Sequence, residues 1–189
     1  MHIRILAAVA TIAMLAVGSC DRPSEPAAPP SGAPAGSAAA FSYASAGDLS
    51  GYYMPASELR VGKWSFDHIF VGQAAEFRAW TQGDRSATFA PVMLQFEDAT
   101  SPMVQTELGE VRSVSARVLP TRYAVSDERI EFEGTSAELG RVAFEGRLDP
   151  GALATSRRNL GDEGVVVTGT LTAGGETLRD VRLRWWMGD

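Results

Sequence analysis

From Phe41 onward, apolar residues recur at every second position rather than every third or fourth. Trp64, Phe66, His68 and Phe70 alternate with Lys63, Ser65, Asp67 and Ile69; Val92, Leu94 and Phe96 alternate with Met93, Gln95 and Glu97. Successive side chains of an extended chain point to opposite faces, so this is the signature of half-buried strands. The segment 112–119 closes at Pro120, and the segments 130–134 and 141–148 each carry a Phe-Glu-Gly triplet, Phe132-Glu133-Gly134 and Phe144-Glu145-Gly146. Two such triplets are too few for a repeat and read as the alike arms of one hairpin. Gly174-Gly175 between the alternating runs 165–172 and 177–187 marks another hairpin. Eight to ten strands are expected. The least regular are 50–54 and 75–80, and the latter also reads as a helical turn.

One short helix is predicted near 150–160. Asp149 can cap it, Pro150 suits the first position, where no amide donor is needed, and Asn159-Leu160-Gly161 supplies a stop. Its apolar side, Leu153 with Leu160, is narrow. The fold expected for residues 41–189 is therefore all-β: a single, mainly antiparallel sandwich or barrel.

On the last strand, Val181, Leu183, Trp185 and Met187 are expected to face inward and Arg182, Arg184 and Trp186 outward. Leu178 is out of phase with them, which predicts a bulge near Arg179 and Asp180. Two arginines beside a tryptophan suit a solvated face with ordinary cation–π contacts. They also suit a docking surface, because Trp and Arg are common interface anchors. Arg182, Arg184 and Trp186 are the candidate partner-binding residues.

Composition restricts the chemistry. The only cysteine is Cys20, so the β-rich part has no disulfide and no thiolate metal site. The formal charge is −6, and Lys63 is the single lysine. With no basic block and this sign of charge, nucleic acid is not an expected partner. Of the two histidines, His2 and His68, the second shares its expected face with Trp64, Phe66 and Phe70 and reads as a partly buried core residue. Asp67, on the opposite face, is not expected to orient it. No Gly-x-Ser-x-Gly elbow or phosphate-cradling glycine loop is present. The pairs Glu97-Asp98, Asp127-Glu128 and Asp162-Glu163 leave a carboxylate hydrolase as the least favoured reading. No catalytic residue, metal or cofactor is expected.

The N-terminus reads as an export signal. Residues 1–4 are short and basic, residues 5–17 form an apolar run of 13, and small residues then lead into Cys20. That run is well short of the ~20 residues of a membrane-spanning helix. The stretch Val17-Gly18-Ser19-Cys20 resembles the lipobox of bacterial lipoproteins. The resemblance covers the first 20 residues. It implies that residues 1–19 are removed and that Cys20, acylated on its sulfur and then on its amine, becomes the N-terminus. One acyl chain binds a membrane only marginally, whereas two or more hold firmly. Asp21 occupies a sorting position in that class, but the choice between inner and outer membrane stays open. Residues 20–40, rich in Pro, Ala, Gly and Ser, read as a disordered tether of ~60 Å reach at most.

Gly62-Lys63-Trp64 resembles the Gly-x-Trp of lipocalins, but the helix before the last two strands departs from that family. The expected function is that of a membrane-anchored envelope protein acting non-catalytically, by contact with another envelope protein, as an accessory or assembly factor. The alternative is a barrel holding a lipid or another apolar ligand, which needs an interior too large for its own side chains to fill.

Overall fold

The computed structural model describes residues 40–107 and 109–188. The signal, Cys20 and the tether up to residue 39 lie outside the described residues. In chain order the strands are β1 (Phe41–Ala44), β2 (Gly51–Pro55), β3 (Arg60–Val61), β4 (Trp64–Val71), β5 (Val92–Asp98), β6 (Met103–Thr106), β7 (Gly109–Arg112), β8 (Ser115–Val118), β9 (Pro120–Ser126), β10 (Arg129–Ser136), β11 (Gly140–Leu148), β12 (Val165–Ala173) and β13 (Glu176–Trp186). The helices are α1 (Ala74–Thr81) and α2 (Pro150–Arg158). The all-β fold read from the period-two pattern is the one observed.

The main sheet has the order β1-β9-β10-β11-β12-β13-β2-β4-β5-β8, with β3 paired to β4 and a separate β6–β7 hairpin. Every pairing is antiparallel except that of β1 with β9. The sheet curls into a half-barrel, and Leu119 alone separates β8 at one end of that order from β9 near the other. One stretch of chain thus bonds β5 through residues 115–118 and β10 through residues 120–126. The handover falls at Pro120, which has no amide donor for a ladder, and at a register shift between Glu133 and Gly134. A β-carbon on Gly134 would sit 2.5 Å from the Leu119 carbonyl oxygen, so the close approach requires glycine.

The inner face is filled by its own side chains. Phe66, Phe96, Phe132, Phe144, Tyr53, Tyr123, Ile69, Leu94 and Leu183 are all fully buried. Each such side chain contributes about 1.5–3 kcal/mol of burial. The alike arms of the predicted hairpin are β10 and β11, where Phe132 lies opposite Phe144. Each phenylalanine ring lies over the glycine two residues on. A β-carbon on Gly146 would meet the Phe144 ring at 2.6 Å, and one on Gly134 would meet the Phe132 ring at 2.9 Å.

Helix α2 forms as predicted, with the Asp149 carboxylate accepting from the amides of Gly151 and Ala152, both at 2.9 Å. Leu153 is buried, but Leu160 lies beyond the helix and is 64% exposed, so it does not share the helix's apolar side. Of the two readings of 75–80, the helical one is observed, which adds a second helix to the one predicted. A reciprocal cap between Gln73 and Glu76 starts α1, and Phe77 and Trp80, three apart on one face, are buried. Phe77 stacks on Tyr43 at 4.0 Å, and the Arg85 guanidinium lies over Trp80 at 4.3 Å.

Candidate functional site

The outer surface has two distinct halves. Across β9, β10 and β11 it is a lattice of ion pairs: Arg122 with Glu133 at 3.2 Å, Arg141 with Glu133 at 3.0 Å, and Arg129 with Glu131 at 2.7 Å. Across β13, β2 and β4 it is aromatic. Strand register sets Trp186 beside Tyr52 and Tyr52 beside Phe70. Phe89, from the loop before β5, packs on Phe70 at 5.7 Å.

The three residues singled out in the sequence all belong to β13. Trp186 is outward as expected, 42% exposed, and its ring lies 5.6 Å from that of Tyr52. Arg184 pairs with Glu163 at 3.2 Å, and Arg182 is exposed. Trp186 and Arg184 line a shallow cavity of about 320 Å³ with Met54, Leu160 and Glu163. The expected bulge lies at Arg179 and Asp180, which face a register shift in β12, and Asp180 takes a positive φ of 56°. Met187, expected inward, is beyond the end of β13 and 54% exposed.

The end of β13 is fixed from beneath. The Trp185 indole donates to the Ser50 carbonyl at 3.0 Å, and the Arg157 guanidinium of α2 lies 4.9 Å over the Trp185 ring. Arg157 also donates to the carbonyls of Asp48 and Ser50, both at 3.1 Å, and pairs with the Asp48 carboxylate. Gly51 at φ 137° lets the chain pass this tryptophan, where a β-carbon would lie 2.3 Å from the indole nitrogen. Tyr52 and Trp186, the neighbours of these residues, are thereby held on the opposite face.

His68 belongs to the same outer surface, contrary to the phase read from the sequence. Asp67 is an extra residue in β4, where the register against β5 shifts between Phe66 and His68. The bulge turns Ile69 and Val71 inward with Trp64 and Phe66, and leaves His68 and Phe70 outward. It also brings Asp67 onto His68, with Oδ2 2.9 Å from Nδ1, where strict alternation would have held them apart. The His68 ring meets Tyr52 edge-on at 4.9 Å. Nearby, burial and the Asp67 charge raise the pKa of Glu97.

The adjacent carboxylates serve local structure. Asp98 is buried, accepts from Lys63 Nζ at 2.7 Å and from Thr100, and these bonds lower its pKa to about 2. Asp127 accepts from the Ser45 hydroxyl and the amides of Ala46 and Gly47, which lower its pKa. Among the described residues no three His, Cys, Asp or Glu side chains gather as a metal ion requires. None of their helices is long and apolar enough to cross a membrane.

No family model matches the chain, and no curated protein or solved structure is significantly similar to it.

Proposed function

We propose that this chain is a lipid-anchored envelope protein that works without catalysis, by binding another envelope protein through the aromatic outer face of β13, β2 and β4. The observation that carries this reading is the in-register row Trp186, Tyr52 and Phe70, which lies partly in solvent on a sheet whose inner face is already filled. Of the row, Trp186 stands most in solvent while Phe70 packs against the core; an exposed tryptophan is a typical interface anchor, and Arg184 beside it supplies the polar rim. The packed interior favours contact over an apolar cargo. The anchor rests on the lipobox-like stretch ending in Cys20.

Two measurements test this. Cells fed an alkynyl fatty acid should label the wild-type protein but not Cys20→Ala, and the variant should move from the membrane to the soluble fraction. In-cell cross-linking should trap a partner with the wild type and lose it with the double variant Arg184→Ala, Trp186→Ala. Unlabelled, soluble wild-type protein removes the anchor. An adduct that survives the double variant removes the face.

A further inference from the structure

The hairpin β6–β7 stands apart from the main sheet. All four residues of β6 are exposed, and among the described residues no strand other than β6 pairs with β7. Met103, Val104, Val111 and Val114, in or beside this hairpin, are four of the seven large apolar residues exposed among the described residues. A lone two-stranded ribbon is marginal in water and gains stability from further strands with an apolar face.

The register of the hairpin determines which groups a further strand would meet. Opposed residues of an antiparallel pair alternate between exchanging both backbone hydrogen bonds and exchanging none. The Ser113 amide donates to the Pro102 carbonyl at 2.9 Å, and next to them Met103 lies opposite Arg112, Val104 opposite Val111 and Gln105 opposite Glu110. Val104 and Val111 therefore bond each other. The N–H and C=O groups of Glu110 and Arg112 point the other way, along the outer edge of β7.

That edge is complementary to itself. In an antiparallel pairing with a second copy, centred on Val111, Glu110 lies opposite the second copy's Arg112 and Arg112 opposite its Glu110. These are the residues whose backbone groups point outward, so the two pairs supply four backbone hydrogen bonds and two contacts of opposite charge. Ser113 lies opposite the second copy's Gly109, so no like charges oppose each other. Val104, Val111 and their two counterparts form one row of four valines on a single face. Charges on an edge strand ordinarily deter a second chain. Here they alternate in sign and attract one in this register. The same construction on β6 sets Met103 opposite Gln105 and gains no charge pair. Among the described residues neither Glu110 nor Arg112 forms an ion pair; Arg112 donates to the Ser101 carbonyl at 2.8 Å, and its charge also reaches Glu97.

We infer that β7 pairs with β7 of a second copy of this chain, giving a four-stranded sheet about a two-fold axis at Val111. The paired stretch is short for a permanent interface, so the dimer is reversible. The inference uses no residue of the aromatic face and goes beyond the docking reading above.

The test uses the full chain with Cys20→Ala, so that one introduced cysteine is the sole thiol. Val111→Cys places two sulfurs across the axis within reach of a disulfide, and mild oxidation should link the chains into dimers. Val104→Cys is as exposed, 41% against 38%, but its counterpart is three strand spacings away, about 14 Å, and should link far more slowly. Rates are scaled to the reaction of each thiol with a small disulfide reagent. Adding Glu110→Arg to Val111→Cys should slow linkage about tenfold, and adding Arg112→Glu to that should bring it back to within about threefold. Trp186→Ala should leave linkage unchanged, which separates failure here from failure of the docking face. Equal scaled rates at positions 104 and 111, or no linkage at either, overturn the inference. So does a charge swap that fails to restore linkage.

Discussion

Asp98 and Gly134 show how single positions govern this fold by opposite means. Asp98 is a buried carboxylate whose bonds from Lys63 and Thr100 bring its pKa down from the usual 3.8 to about 2. A lowered pKa means that the ionised form favours the folded chain. Its contribution is complete above about pH 4 and fades as the pH falls toward 2. Acid titration of stability should therefore show a decline across that window that Asp98→Asn flattens. Gly134 acts by what it lacks. A β-carbon there would press on a backbone carbonyl, which cannot swing aside as a side chain could. Gly134→Ala should lower the unfolding free energy by about 1–3 kcal/mol in denaturant titration. An exposed loop glycine with open space around it and an ordinary φ, such as Gly161, should show no comparable cost.

At the scale of elements, the helices and the bulged strands show where sequence patterns suffice. Helix α2 was legible because its signals are local: Asp149 bonds the first free amides and Pro150 needs none. Helix α1 was ambiguous because residues 75–80 are short and fit both periods, and the deciding reciprocal bonds of Glu76 need Gln73, which lies outside that window. Glu76→Ala should destabilise the protein by about 1 kcal/mol in thermal melts, as loss of a cap does. Hairpins β10–β11 and β12–β13 followed from alternation and glycines, and the bulge at Arg179 and Asp180 followed from the odd phase of Leu178. The bulge in β4 was not legible. Nothing in Trp-Ser-Phe-Asp-His-Ile-Phe-Val marks Asp67 as the extra residue, because either phase offers an apolar set. That one insertion decides whether His68 and Phe70 are core or surface. Of the site, Arg182, Arg184 and Trp186 could be found from β13 alone. Tyr52, Phe70 and Phe89 are near them only through pairing between strands more than one hundred residues apart.

For the whole molecule, the order of pairing is simple: apart from β1, β3, the β6–β7 hairpin and the break between β8 and β9, each strand pairs with the next in the chain, and β13 returns to β2. Only that last pairing spans nearly the full described length. The clamp of Arg157 on Asp48, Ser50 and Trp185 supports it from within the same seam. Arg157→Ala should raise amide exchange in β2 and the end of β13 first, while β10 and β11 stay protected. Uniform acceleration across all strands would show that the seam has no separate stability.

The same seam sets a timetable. Trp186 comes from a strand that follows every other in the chain, whereas its neighbour Tyr52 comes from one of the first. A nascent chain emerging N-terminus first can therefore not bring these two rings together until the last strand is out. A chain truncated before residue 176 would lack β13 altogether, and with it the pairing that sets Trp186 beside Tyr52.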